Sequence, residues 1–356
     1  MTTVNHTIKH FSLHRLADVE LRVVADIEQG VLPLIDAECQ VVTRMAQEPG
    51  WPHQAVTLFI LADMTPLQRQ LQALGRRPVG SSATAHNSDL LTRPIVNVYD
   101  LAAPTGCHIF INRTAMMAAG YWDDAVAIQG LLAHEHAHPL AECLATDAVR
   151  QLELTVALTL AEPWADDKLR AADWAYKAQT QVAALAHTMT VVGPREVFTN
   201  AIALKTGFDQ PLLHLNRHNI RNLVTGLAHR PLLQAQLAGA VTTGQISQAG
   251  ADALALIGDL QGCLLLTLEV AAFLRQHCLT EAAALMLPLQ NQLFPHLDPV
   301  VGMLFQAIST EFTQLSTTAT RPEVVAFMHR QMHHWGTAFA QRALTLAYQI
   351  NTIDAK

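Results

Sequence analysis

Two histidines one helical turn apart, with a glutamate directly after the first, form the most chemically suggestive pattern in the chain. They are His134, Glu135 and His138, within the segment LLAHEHAHPLAE at 131–142. Residues four apart lie on one face of an α-helix, so both imidazoles can bind one metal ion. Glu135 projects about 100° further around the helix, where it can take a proton from a metal-bound water. His136 points about 200° away from His134 and is not expected to face the same metal.

Histidine spacing alone is weak evidence here, because the 356 residues include 18 histidines. Other pairs share the four-residue spacing, among them His10/His14, His214/His218 and His329/His333. Only the 134/138 pair has a glutamate in the second position. The alternative is a histidine-rich helix that binds no metal.

A third ligand is expected downstream, because a catalytic zinc usually has three protein ligands and one open position. Four glutamates qualify by position: Glu142, Glu153, Glu162 and Glu196. Glu142 lies beside the motif helix, and Glu153 is predicted to be a charge on a helix surface. Glu162 precedes Pro163, which favours an extended backbone, and it is the second choice.

Glu196 is the preferred third ligand. The sequence predicts a helix that Gly193-Pro194 opens and Gly207 ends. Asn200 follows Glu196 by one turn, where its amide can hydrogen-bond a ligand histidine and fix its tautomer. The alternative for Glu196 is an acidic residue in a first helical turn, favourable to the helix dipole.

The elements around these residues predict an α+β fold that is predominantly helical. Short strands are expected at 55–62, 95–99 and 108–112, a helix at 13–48 and a loop at 75–93. After Asp123 nearly the whole chain is expected to be helical, with the motif helix at 125–138. Pro139 lacks an N–H, so this helix should kink or end there.

This order of strand, helix and motif resembles the zincin metallopeptidases, in which an edge strand that binds extended peptide lies near a helix bearing HExxH. The segment PREVFTNAIALKTGFD at 194–209 resembles the third-ligand helix of the gluzincin branch, with a core similar to HtpX-like peptidases. The resemblance covers roughly 95–210. Zincin helices commonly continue beyond the motif, and Pro139 departs from that pattern.

The resemblance implies a zinc-dependent peptidase, in which Zn²⁺ bound by His134, His138 and Glu196 activates a water and Glu135 is the general base. Gluzincins usually add a side chain that stabilises the oxyanion. The candidates, which are left open, are Tyr176, His214, Arg217 and His218. The implied division is an N-terminal helical segment at 1–54, a zincin-like core at 55–210 and a helical C-terminal domain at 211–356.

Two other classes of function compete with this one. A di-iron carboxylate bundle needs two Glu-x-x-His motifs, and only Glu135-x-x-His138 occurs. A metal-stabilised scaffold without catalysis, or a regulator that binds a protein partner, is compatible with the low charge and the abundance of leucine and alanine.

Composition limits the classes of partner that the chain is expected to bind. Charged residues make up 15 % of the chain and the formal net charge is −7, which argues against a general nucleic-acid binder. Five cysteines without a CxxC motif favour reduced thiols in the cytoplasm. Neither a secretory leader nor a clean membrane span is predicted. We expect a peptide or protein substrate, and a homo-oligomer is compatible with the sequence.

Overall fold

The computed structural model describes residues 7–65, 93–99 and 106–353. The chain forms two compact units. The first comprises Met1–Ala141 with Ile202–Leu215, and the second comprises Glu142–Ala201 with Asn216–Lys356. The loop predicted over 75–93 lies outside the described residues except for Arg93. The predicted division at residues 54 and 210 is a different partition and stays a prediction.

The first unit contains a five-stranded mixed sheet. Its strands are β1 His10–Leu16, β2 Val19–Ala25, β3 Ala55–Leu61, β4 Ile95–Tyr99 and β5 Cys107–Asn112. Their order across the sheet is β1-β2-β3-β5-β4, with parallel pairing of β2 with β3 and of β3 with β5. The outer pairs are antiparallel. The predicted strands at 55–62, 95–99 and 108–112 are therefore confirmed.

The helix predicted over 13–48 is wrong in its first half. Residues 10–25 form the hairpin of β1 and β2, which reverses at Ala17, a residue with φ of 52°. Val19, Leu21 and Val23 are buried in alternation along β2, which is the period of a strand. A helix begins only at Val31, so the prediction holds for the second half.

Helices cover one face of this sheet. They are α1 Val31–Met45, α2 Arg113–Ala119 and α3 Ala125–Ala137. Helix α1 packs against α3, while α1 contacts β2 and α3 contacts β4. On the other face, Phe59 and Phe110 stack with ring centroids 4.8 Å apart. The motif helix α3 is thus held between α1 and an edge strand.

The remaining helices build the second unit, except that Ile202–Leu215 within them belongs to the first unit. They are α4 Leu144–Arg150, α5 Lys168–His187, α6 Gly193–Ala203, α7 Asp209–Gly226, α8 Arg230–Thr242, α9 Gln248–Cys263, α10 Leu266–Arg275, α11 Leu279–Pro288, α12 Pro299–Gln314 and α13 Arg321–Ala340. Helix α12 packs against both α10 and α13. Phe312, Phe327 and Trp335 fill the core between them, each at most 1 % exposed.

Two strands interrupt the predicted all-helical second half. Strands β6, Leu152–Leu160, and β7, Leu344–Thr352, form an antiparallel ribbon. Both alternate branched apolar residues with polar ones, which favours a half-buried strand over a helix. The side chain of Gln179 on α5 accepts from the Leu158 N–H at 2.5 Å and donates to the Val156 carbonyl, so it satisfies the outer edge of β6.

The architecture is mixed α+β, predominantly helical, with small sheets and a long helical C-terminal part. The predicted fold class is therefore confirmed. Among the described residues, no single helix has the length and apolar character to cross a membrane. The helices at 248–263 and 266–275 meet those criteria only when taken together, and they are bent by 46° at their junction.

Gly130 lies where α3 closely approaches the backbone of α7. A Cβ added at Gly130 would lie 2.8 Å from the Pro211 carbonyl oxygen, which is backbone and cannot rotate away. We therefore expect Gly130→Ala to lower the free energy of unfolding by about 1–3 kcal/mol, despite alanine's higher helix propensity. Urea unfolding measures this change. The control is Gly258→Ala within α9, where a Cβ meets nothing within 4 Å and stability should rise. Equal stabilisation by both variants would contradict this packing.

Candidate metal centre

A side-chain cap fixes the start of the motif helix. The Asp124 carboxylate accepts from the Ala127 N–H at 3.0 Å, as N-cap residues do. Its second oxygen lies 2.7 Å from Nε2 of His214. His214 was one of four oxyanion candidates, and the structure places it against this cap. The assignment of His214 to the oxyanion stays a prediction.

The end of the motif helix lies where proline predicts it. Helix α3 ends at Ala137, and His138–Ala141 form a 3₁₀ turn. The N–H of His138 bonds to the carbonyl of Glu135. That carbonyl also accepts from Nδ2 of Asn97 on β4, at 2.7 Å. The α-helix therefore ends one residue before His138, whose own backbone is still helical.

The three predicted metal ligands lie together. One ligand atom from each of His134, His138 and Glu196 can be chosen so that all three lie within 4.8 Å of one another. The two imidazole centroids are 4.7 Å apart, and the rings are nearly perpendicular at 82°. His138 is buried, while His134 and Glu196 are partly exposed. Two imidazoles and one carboxylate form a donor set that binds divalent transition metals.

Glu135 lies beside this cluster. Its carboxylate oxygen Oε2 is 3.9 Å from Nε2 of His138, and its side chain is 17 % exposed. A carboxylate in that position can hold a proton close to the ligand imidazoles. The assignment of Glu135 as the general base stays a prediction.

Packing in the second unit positions the helix that carries Glu196. Helix α6 begins at Gly193 after a π-helical turn at Thr188–Val192. A Cβ at Gly193 would lie 2.7 Å from the Phe312 ring, so only glycine fits there without a shift. Arg195 donates to the carboxylate of Glu142 at 3.1 Å. The predicted helix opening at Gly193-Pro194 is wrong, because the chain is already helical through Lys168–His187 and Thr188–Val192 and continues without a break into Gly193–Ala203.

The rejected third-ligand candidates have other places in the structure. Glu142 forms ion pairs with Arg150 and Arg195. Glu153 is exposed on β6, so its prediction as a helix-surface charge is wrong in secondary structure. Glu162 is exposed in a bend after β6.

The structure shows where Asn200 and the remaining oxyanion candidates lie. Asn200 donates to Oε2 of Glu269 at 2.8 Å, and Asn216 donates to the same oxygen at 3.1 Å. The predicted hydrogen bond from Asn200 to a ligand histidine stays a prediction. Tyr176 is 71 % exposed on α5. Arg217 is exposed and His218 half-buried on α7, and all three remain predictions for the oxyanion.

The partner of the third histidine in the motif is not evident from the sequence. His136 Nε2 lies 2.8 Å from Oε1 of Glu38 on α1, and both side chains are fully buried. The Trp51 ring packs against His136 with centroids 5.7 Å apart. The helical-wheel position of His136 correctly excluded it from the metal. Its partner was invisible because Glu38 lies 98 residues away.

Comparison with known proteins gives no relative: no family model, curated protein or solved structure matches this chain. The function must therefore be inferred from the site itself.

The buried pair on α1 and α3 yields a stability prediction. Glu38→Ala should lower the free energy of unfolding by about 1–3 kcal/mol, because His136 then keeps a buried ring nitrogen without its acceptor. Glu38→Gln retains a carbonyl acceptor and should cost less. Urea unfolding of the metal-free protein distinguishes them. Equal losses in the two variants would mean that the hydrogen bond contributes nothing.

Metal content tests the ligand cluster. Purified protein reconstituted with Zn²⁺ should hold about one zinc per chain by inductively coupled plasma mass spectrometry. His134→Ala and Glu196→Ala should each lose most of it. Glu153→Ala removes an exposed carboxylate and should retain the zinc. Equal zinc in Glu196→Ala and Glu153→Ala would exclude Glu196 as a ligand.

Proposed function

We propose that this chain is a zinc-dependent peptidase whose centre is formed by His134, His138 and Glu196. The observation that carries the proposal is the convergence of these three ligand atoms within 4.8 Å of one another. The pair of motif histidines is local in sequence, but Glu196 is 58 residues beyond His138. The convergence of a carboxylate from a separate helix on this histidine pair supports a metal-binding site.

The donor set favours zinc. Two neutral imidazoles and one carboxylate are the protein ligands of one common class of catalytic zinc site, which leaves a position for water or substrate. When bound, Zn²⁺ supplies Lewis-acid chemistry, since it lowers the pKa of water and polarises a carbonyl. The identity of the metal belongs to the proposal.

Glu135 moves the proton in this proposal. Its carboxylate accepts a proton from the attacking water and delivers it to the nitrogen of the leaving amine as the peptide bond breaks. One distance supports this role. Oε2 of Glu135 is 3.9 Å from Nε2 of His138, and His138 Nε2 belongs to the imidazole that holds the metal. A proton on Glu135 is therefore held next to the reacting atoms.

The edge of the described sheet supports a peptide substrate. The strand preceding the motif, β5, is internal, and β4 is the edge strand. The N–H of Asn112 bonds to the carbonyl of Pro94, so antiparallel alternation turns the main-chain groups of Ile95 and Asn97 outward. An extended peptide can pair with such groups. Asn97 also contacts Glu135 through its side chain, so this edge lies close to the base.

Removal of the base tests catalysis. Glu135→Gln should retain zinc and lower kcat on a peptide substrate by at least about 10²-fold, because the amide cannot accept the proton. Cleavage of casein and of a fluorogenic peptide library measures this. Glu153→Gln, which changes an exposed carboxylate in β6, should keep full activity.

Two outcomes would contradict the proposal. A Glu135→Gln variant as active as the parent would exclude this mechanism. Zinc retained by the parent without cleavage of any peptide would favour the alternative, a metal-stabilised scaffold or regulator that binds a protein partner.

A further inference from the structure

The main-chain carbonyl of Glu135 has an unusual set of donors. In a continuing α-helix this carbonyl would accept from the N–H of residue 139. Residue 139 is proline, which has no N–H, and the helix ends at Ala137. The N–H of His138 reaches the carbonyl in 3₁₀ fashion. The Asn97 side chain supplies a further donor at 2.7 Å.

A neighbouring thiol contacts the other end of the Asn97 amide. Asn97 is 3 % exposed, and its Oδ1 accepts from Sγ of Cys107 at 3.2 Å. Burial, with smaller contributions from the carboxylates of Glu38 and Glu135, raises the pKa of the Cys107 thiol well above its ordinary value. The thiol therefore stays protonated as a donor. The amide nitrogen of Asn97 must then face the Glu135 carbonyl, which can only accept.

We propose that Asn97 is a positioning residue for Glu135, whose side-chain amide replaces the N–H that Pro139 lacks. The hydrogen bond joins β4 to the last turn of α3. It fixes the last turn of the helix at Glu135, whose carboxylate lies beside the ligand histidines. The catalytic consequence rests on the proposed function, whereas the pairing of Asn97 with Pro139 does not.

The same bond links the strand edge to the base. Asn97 belongs to β4, and its own main chain faces outward from the sheet. The Asn97 amide therefore fixes the position of Glu135 relative to the edge of β4. Loss of the bond should therefore affect turnover and metal affinity more than the binding of a peptide along β4.

A double-mutant cycle tests the replacement. Asn97→Ala should weaken zinc affinity and lower kcat by about 10- to 100-fold, the usual cost of removing a residue that orients a metal-binding element, with KM changed less than about twofold. Pro139→Ala restores an N–H at residue 139. The double variant should therefore recover most of the loss. Zinc affinity is measured by competition with a chromophoric chelator, and unfolding by urea titration of the metal-free protein.

Cys107→Ala is the matched control. It opens a similar buried space and removes the other partner of Asn97, but it leaves the Asn97 bond to Glu135 in place. Zinc affinity should stay within about threefold of the parent. A loss equal to that of Asn97→Ala would show that Asn97 acts only as core packing.

Each outcome for the double variant either supports the inference or overturns it. If Pro139→Ala fails to recover zinc affinity or metal-free stability in the Asn97→Ala background, the inference is wrong. If Asn97→Ala alone does not fold, recovery of folding in the double variant supports it, and an unfolded double variant overturns it. A parent that binds zinc but cleaves no peptide refutes the peptidase alone, because the zinc and unfolding measurements still report the Asn97–Pro139 coupling.

Discussion

The orientation of α3 about its own axis is the constraint on which the candidate site depends. A rotation by one residue, about 100°, would turn the face that His134 and His138 share away from the candidate metal position. Three side chains oppose that rotation at different heights along the helix. At its start Asp124 bonds to His214 on α7, on the buried side Glu38 holds His136, and at its end Asn97 holds the Glu135 carbonyl.

Burial makes these contacts effective. Glu38 and His136 are fully buried and Asn97 nearly so, and a buried polar group that loses its partner costs more than an exposed one. Rotation of α3 would break the Glu38–His136 bond without access to water as a substitute. The polar residues on the buried side of α3 therefore specify which residues face the metal position, in addition to whatever stability they add.

Local pattern predicted much of the fold, and its failures have a common cause. Strands at 55–62, 95–99 and 108–112 and the end of α3 at Pro139 follow from residue type and period. The hairpin at 10–25 and the ribbon of β6 and β7 were predicted as helix, because short apolar runs fit either period. Pairing with a neighbouring strand decided that these segments are strands. Strand β6 pairs with a strand that begins 184 residues after its own end.

The sequence by itself indicated the two histidines of the candidate metal site, the glutamate beside them and the helix that presents them, because four residues make about one helical turn. It favoured Glu196 from a pattern of helix start and stop, and left Glu162 as an alternative. The tertiary structure decided that Glu196 reaches the histidine pair, that His136 meets Glu38, and that Asn97 meets Glu135. These contacts join residues 38 to 98 positions apart, and no local periodicity encodes such pairs. They arise from the order in which the chain lays its strands and helices against one another.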